Sequence, residues 1–283
     1  GSRRDRGGFE LSLLARVRAP ASTANLGPGF DCAAVALDLW NELEVSEGER
    51  EPDLGHLGVR AFARLASPEG KRFSFTDRIP RERGLGSSAA IIALGLVAGS
   101  VASGRELTVE HLLAEGLELE GHGDNLAAVL AGGVCLTWGT RIARIAERPP
   151  AVPIALVPDA TVSTAAARDA LPAQVSHADA SFTAARATLL GAALATGSGE
   201  LFAEALADRL HEPYRAANAP LLEDVRARLP AGAVGATISG SGPTVIVWAR
   251  GESVDGCVAE LAGRYPEIDV RLLPASPKGA HAL

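Results

Sequence analysis

Apolar and polar residues alternate from Ala15 to Ala19, the two-residue period of a strand with one buried face, and Pro20 is predicted to end it. A polar, glycine-containing loop follows from Ala21 to Gly29. Residues 30–45 turn apolar again, with strand character toward Leu43–Val45. Leu57, Ala61 and Leu65 then recur at helical spacing, and Arg72–Ile79 alternates as a strand. Gly84 and Gly86 precede an Ala/Ile/Leu helix predicted to run to about Ser100. A helix over 108–120 has Thr108 as its cap and Leu112, Leu113 and Leu117 on one face. A shorter helix over 125–130 and a strand over 134–138 complete this half.

Pro149, Pro150 and Pro153 mark a seam, and a strand at Ile154–Val157 opens a second unit. Helices over 178–195 and 200–209 fill its middle, and strands at 234–238 and 245–248 flank a second glycine-rich turn. The mixture lacks a strict βαβ rhythm and predicts an α+β fold. The expected division is a disordered tail over 1–13, a first part over 14–150 and a second over 151–283. In the tail, Gly1-Ser2 reads as an expression scar and Arg3, Arg4 and Arg6 as solvated.

With 47% hydrophobic and 22% charged residues among 283, the chain can bury a sizeable core. A net charge of -7 argues against nonspecific nucleic-acid binding. The apolar run Ala89–Val101 is too short for a membrane span and reads as a buried helix. Cys32, Cys135 and Cys257 are scattered without metal-ligand spacing, which suits small buried side chains in a reducing cytoplasm. Lysine occurs only at 71 and 278, so phosphates must be held by other means.

Three glycine-rich segments carry candidate chemistry. Gly84-Leu85-Gly86-Ser87-Ser88-Ala89-Ala90 follows a strand and opens a helix, whose free N–H groups and positive dipole end suit phosphate. The serine hydroxyls suit phosphate oxygens or Mg²⁺. Glu118-Leu119-Glu120-Gly121-His122-Gly123-Asp124-Asn125 places carboxylates at a helix C-terminus, against its dipole, a placement that a bound cation would explain. Ser239-Gly240-Ser241-Gly242-Pro243-Thr244 forms another backbone-rich turn. Arg168 and Arg215 suit bidentate recognition of a carboxylate or phosphate.

In order, Arg18–Asp31, Gly84–Ala90 and Ser239–Thr244 resemble the three motifs of the GHMP kinases. Arg18-Ala19-Pro20-Ala21-Ser22-Thr23-Ala24-Asn25-Leu26-Gly27-Pro28-Gly29-Phe30-Asp31 looks like the opening of the homoserine kinase family, and Gly121–Asn125 is similar to its HPDN box. The resemblance runs from about Arg16 to Ala280. It implies a first part like domain 2 of ribosomal protein S5, a ferredoxin-like second part, and an active site between them. It implies ATP phosphates on Gly84 to Ala90 and Mg²⁺ on Ser88 and Glu118, with Glu120 the alternate. L-homoserine would be held by Asn25, Asp31 and His122, with Asp124 and Asn125 beside it and Arg168 and Arg215 on its carboxylate. Thr164 matches a family threonine near the transferred phosphate. Asp31 would face the substrate ammonium.

Two proton routes stand open: Asp124 as general base, or Asn125 orienting the hydroxyl while the phosphate takes the proton; the second is favoured. The resemblance also implies a homodimer. Gly123 departs from the family proline, and His56 from a family Asn near adenine. Rival readings are a mevalonate- or shikimate-type GHMP kinase and a catalytically inactive ligand sensor. Arg168, Arg215 and Asp31 speak against the first, and Ser88, Glu118 and Asp124 against the second.

Overall fold

The computed structural model describes residues 12–49 and 51–283. Two long strands, β1 (Leu13–Asn25) and β2 (Gly29–Glu47), pair antiparallel and form the spine of the first sheet. The strand predicted to stop at Pro20 continues to Asn25, so most of the expected loop is sheet. Pro20 sits opposite Trp40, and the register slips between Pro20 and Ala21. That bulge accommodates a residue with no amide donor. The tail expected over 1–13 falls, up to residue 11, outside the described residues, and Leu13 already opens β1.

After α1 (Leu57–Ala63), β3 (Lys71–Thr76) joins the far end of β2. The helices α2 (Ser87–Ala102), α3 (Val109–Glu120) and α4 (Asp124–Ala131) follow, then the hairpin β4 (Val134–Trp138) and β5 (Arg141–Ala146). Every residue of α2 from Ala89 to Ser100 is buried, which explains why its sequence is apolar on all sides. The Thr108 hydroxyl caps α3 by accepting from the His111 amide, as its sequence predicts.

Beyond the seam come β6 (Val152–Val157), α5 (Thr164–Asp169), α6 (His177–Thr196), α7 (Gly199–Ala205), α8 (Glu212–Arg215) and α9 (Leu221–Ala227). Then β7 (Ala233–Ile238), β8 (Val245–Ala249), α10 (Val254–Arg264) and β9 (Asp269–Leu272) complete an antiparallel sheet in the order β7-β8-β6-β9. This is the ferredoxin-like order. The helix expected over 200–209 ends at Ala205. Asp208 ends the run by accepting the amides of Leu210, His211 and Glu212, a local competitor to helical bonding.

The chain does not finish in the second sheet. Ala275 bridges to Leu37, and β10 (His281–Ala282) pairs with β1. The largest apolar core spans both sheets, from Val17 and Leu94 to Phe202, Ile246 and Trp248. The two parts are therefore packed against each other, and a pocket opens where their turns meet.

Candidate active site

Gly84 and Gly86 form the floor of this pocket, both at positive φ (74° and 67°). A Cβ on Gly84 would collide with the Ser239 carbonyl, and one on Gly86 with the Ser22 hydroxyl. Both positions therefore require glycine on conformation and on space. Gly86 is the cap residue of α2, so the amides of Ser87, Ser88 and Ala89 lack carbonyl partners four residues back in the helix. Of the predicted phosphate segment, Gly84, Gly86, Ser87 and Ser88 line the pocket, whereas the side chains of Leu85, Ala89 and Ala90 lie in the core.

The first motif is stitched to the other two. Ser22 donates to Asn125 Oδ1 at 2.8 Å, and its amide bonds the Leu85 carbonyl at 3.1 Å. Ser239 Oγ donates to the Gly84 carbonyl at 2.7 Å and accepts from Thr23 Oγ1 at 2.8 Å. Asn25, at φ 75°, donates Nδ2 to the Gly240 carbonyl and accepts the Asp31 amide on Oδ1. Asn25 lines the pocket as expected, but both ends of its amide are engaged by protein, so what it fixes is the turn and Asp31. Asp31 itself has φ 54°, uncommon for a residue with a side chain.

Glu120, not Glu118, stands at Ser88: the hydroxyl donates to Glu120 Oε2 at 2.6 Å, and Glu118 is exposed and absent from the pocket. The sequence reading puts Glu118 first and Glu120 as the alternate; the geometry brings the alternate to Ser88. Two residues on α3 differ by about 200° around the helix, so only one of the pair can face α2. Burial pushes the Glu120 carboxyl above its ordinary range and Asp124 adds to the rise, while Ser88 and His122 act against it.

His122 Nδ1 lies 3.7 Å from Asp124 Oδ1 and makes no hydrogen bond. The Asp124 carboxylate raises its pKa, against burial. Asp124 is buried and accepts the Asn125 amide at 2.7 Å. Gly123, at φ -101°, caps α4 without a side-chain bond.

Opposite these groups, Arg168 on α5 makes a two-pronged contact with Asp31, Nη2 to Oδ1 at 2.7 Å and Nη1 to Oδ2 at 3.1 Å. Arg215 on α8 is only 3% exposed yet lines the pocket. Its Nε donates to the Ala167 carbonyl and its Nη1 to the Gly240 carbonyl. Burial pushes its pKa down, and so does the neighbouring Arg168, while Asp31, Asp124 and Asp208 push it up. Phe30 lies beneath both guanidiniums, at 5.1 Å from Arg215 and 5.8 Å from Arg168. Thr164 opens α5 at the rim.

The structure thus gathers Asn25, Asp31, His122, Asp124, Asn125, Thr164, Arg168 and Arg215 around one pocket of about 240 Å³. That is below the roughly 300–1,000 Å³ of a drug-sized ligand site and suits a small polar molecule with a phosphate group. Ser22, Phe30 and Glu82 also belong to the site's walls and bracing, and sequence reasoning assigned them no part. The first two lie inside the first motif, which was the available signal. His56 lies elsewhere, capping α1 through the Gly58 amide with its ring 4.2 Å from Phe75.

Comparison with known proteins agrees with this arrangement. The GHMP kinases N terminal domain model matches residues 56–133, and the GHMP kinases C terminal model matches residues 190–267. A homoserine kinase of Gloeobacter violaceus is 38% identical over 93% of this chain and 97% of its own. One from Streptomyces coelicolor is 42% identical over 88% of each chain. The crystal structure of homoserine kinase from Cytophaga hutchinsonii superposes with a TM-score of 0.84, covering 99% of this chain and 100% of that one at 24% identity, a likeness of fold. The chain belongs to the GHMP kinases and, among them, to the homoserine kinase family.

Proposed function

We propose that this protein transfers the γ-phosphoryl group of ATP to the side-chain hydroxyl of L-homoserine, giving O-phospho-L-homoserine for threonine biosynthesis. The observation that carries this reading is the pairing, in one small pocket, of two arginines with Asp31. An amino acid presents one carboxylate and one ammonium. Arg215 and Arg168 suit the carboxylate, and Asp31 suits the ammonium. A substrate entering there exchanges an internal ion pair for two external ones, so little charge is left unpaired.

Phosphoryl transfer depends on positioning and on neutralising phosphate charge. The free amides at the start of α2 and the Ser87 hydroxyl suit the phosphates, a role that needs no lysine. Ser88 Oγ and Glu120 are hard oxygen donors side by side, a set that fits Mg²⁺. This ion is commonly held by one or two protein oxygens and the substrate phosphates. When bound, it supplies charge neutralisation to those phosphates. No group of three or more His, Cys, Asp or Glu among the described residues could hold a metal by protein ligands alone, in keeping with such a shared site.

Asn125 has its Oδ1 engaged by Ser22, which leaves its amide nitrogen to orient the hydroxyl of the substrate. Asp124 is committed to the Asn125 amide and faces His122, which favours a positioning role over that of general base. The phosphate then takes the hydroxyl proton.

Among the described residues no helix is long and apolar enough to cross a membrane, and the three cysteines are free. Both features suit a cytoplasmic enzyme, which we take to be a homodimer as the family resemblance implies. The test is Mg²⁺-dependent ADP release with ATP and L-homoserine, mevalonate, shikimate or L-threonine. Strong turnover on L-homoserine alone is the expected outcome. Turnover on mevalonate or shikimate would remove the arginines from the role given them, and silence across the panel with intact ATP binding would favour a ligand sensor.

A further inference from the structure

His211 does not line the pocket, yet it touches two residues that do, Phe30 and Arg215. Its side chain is fully buried, and the ring stacks on Phe30 with centroids 4.9 Å apart and planes 19° from parallel. Nε2 lies 2.8 Å from the Gly27 carbonyl oxygen, which can only accept. The proton therefore sits on Nε2, and Nδ1 of the neutral ring is an acceptor. Nδ1 in turn faces Arg215 Nη1 at 3.4 Å, and a guanidinium can only donate. Each bond thus fixes the role of the other. Asp208 holds the turn that presents this ring, through the amides of residues 210–212.

The consequence falls on Arg215. Its Nε is held by Ala167, and its Nη1 by Gly240 and His211. Nη2 is left without a protein hydrogen bond among the described residues. A planar group held at two of its three nitrogens has its third pointed in a fixed direction.

We propose that His211, neutral and protonated on Nε2, is a positioning residue that aims Arg215 at the carboxylate of the amino-acid substrate. The inference rests on the reading of the pocket as an amino-acid kinase site and names a determinant of its selectivity. Losing the Nδ1 acceptor leaves Nη1 with one partner and frees the guanidinium to tilt. Turnover chemistry at the phosphate is untouched, so the loss belongs in KM for the substrate that carries a carboxylate.

Protonation has the same effect as mutation, because a second donor would then face the guanidinium. The groups that face the ring are Asp208 on its own turn, Arg215 one turn on, and the Gly27 carbonyl and Asp31 from the first-motif loop. Burial and Arg215 favour the neutral form, against Asp208, Gly27 and Asp31, and the balance lies below the ordinary histidine value.

The test compares L-homoserine with 3-amino-1-propanol, the same molecule without its carboxylate, in the unmodified protein and two variants. His211→Gln can keep a donor toward Gly27 but offers no fixed acceptor at the Nδ1 position. His211→Asn can place its amide oxygen near that position. In His211→Gln, KM for L-homoserine is expected to rise about tenfold or more, with kcat, KM for ATP and kcat/KM for 3-amino-1-propanol within about twofold. His211→Asn should recover most of the L-homoserine affinity.

In the unmodified protein, KM for L-homoserine should rise as the pH falls below the ordinary histidine range. His211→Asn should lack that rise, a readout that does not depend on the Gln variant folding. Equal losses on both substrates, or an unchanged KM for L-homoserine in His211→Gln, would overturn the proposal. An unmodified protein inert toward L-homoserine would instead overturn the reading of the pocket itself.

Discussion

The two ends of the pocket are built from different materials. The proposed phosphate end is backbone: glycines at positive φ packed against the Ser239 carbonyl and the Ser22 hydroxyl, and the free amides of a helix start. The proposed substrate end is side chain: Arg168 and Asp31, whose ion pair can be exchanged for ligand, and Arg215 and Asn125, each held by protein with a nitrogen left over. Backbone amides recognise phosphate on any nucleotide, so this end needs rigidity and has no room for an added methyl. Side chains carry the information about the acceptor, so substitutions there should alter which molecule is used before they abolish the fold.

The largest effect should come from breaking the rigid end. Gly84→Ala forces a side chain into the positive-φ region and onto the Ser239 carbonyl, a cost of roughly 2–5 kcal/mol. Thermal melting should show the loss, and kcat should fall at least about a hundredfold. A variant with native melting temperature and activity would mean that this loop can rearrange as freely as the substrate end.

Next comes the substrate end. Arg215→Ala removes a buried charge-assisted contact worth about 1.5–3 kcal/mol, so KM for L-homoserine should rise about 10–150-fold while KM for ATP stays within about twofold. Arg168→Ala should cost less, because Arg168 is half-exposed and already shared with Asp31. Steady-state kinetics in both substrates would check this, and a matching rise in KM for ATP would erase the distinction between the two ends.

A smaller effect separates the two acidic residues of α3. Glu120→Gln should raise the Mg²⁺ concentration for half-maximal rate roughly tenfold, about 1.4 kcal/mol, whereas Glu118→Gln should shift it by less than about twofold. An Mg²⁺ titration of the two variants decides it.

The least effect on activity should come from Glu212, buried behind both ends. It accepts from Arg226 at 2.5 Å and from the Ile238 amide at 2.9 Å, beside the third motif. Burial nevertheless pushes its carboxyl up to about 7. A carboxyl raised above its unfolded value contributes stability that is full below the ordinary carboxylate range. That contribution is lost as pH rises through about 7. Denaturant melts should therefore show stability falling across this window by on the order of 3 kcal/mol, and Glu212→Gln should flatten that slope.

The same contrast explains what the sequence made legible. Glycine and serine turns announce themselves, so the turns at Gly84–Gly86 and Gly240–Gly242 were legible as turns. The helical stretches of α2, α3 and α6 carried enough turns to be read. Other features depended on information that a linear pattern lacks. Choosing between Glu118 and Glu120 required the rotation of α3 against α2. The run of β1 through Pro20 required the bulge opposite Trp40. The helices α5 and α8, six and four residues long, are too short to show a period, yet they carry Arg168 and Arg215. For that reason the arginines were placed by family resemblance. The return of the C-terminal segment to β1 left no local mark at all.

The most direct measurement of the central claim is ³¹P NMR of the protein with Mg²⁺, ATP and L-homoserine. The expected result is a new phosphomonoester signal growing in step with ADP, with its phosphorus coupled to the side-chain methylene of the amino acid. ADP with only inorganic phosphate, or ATP left intact, would contradict it.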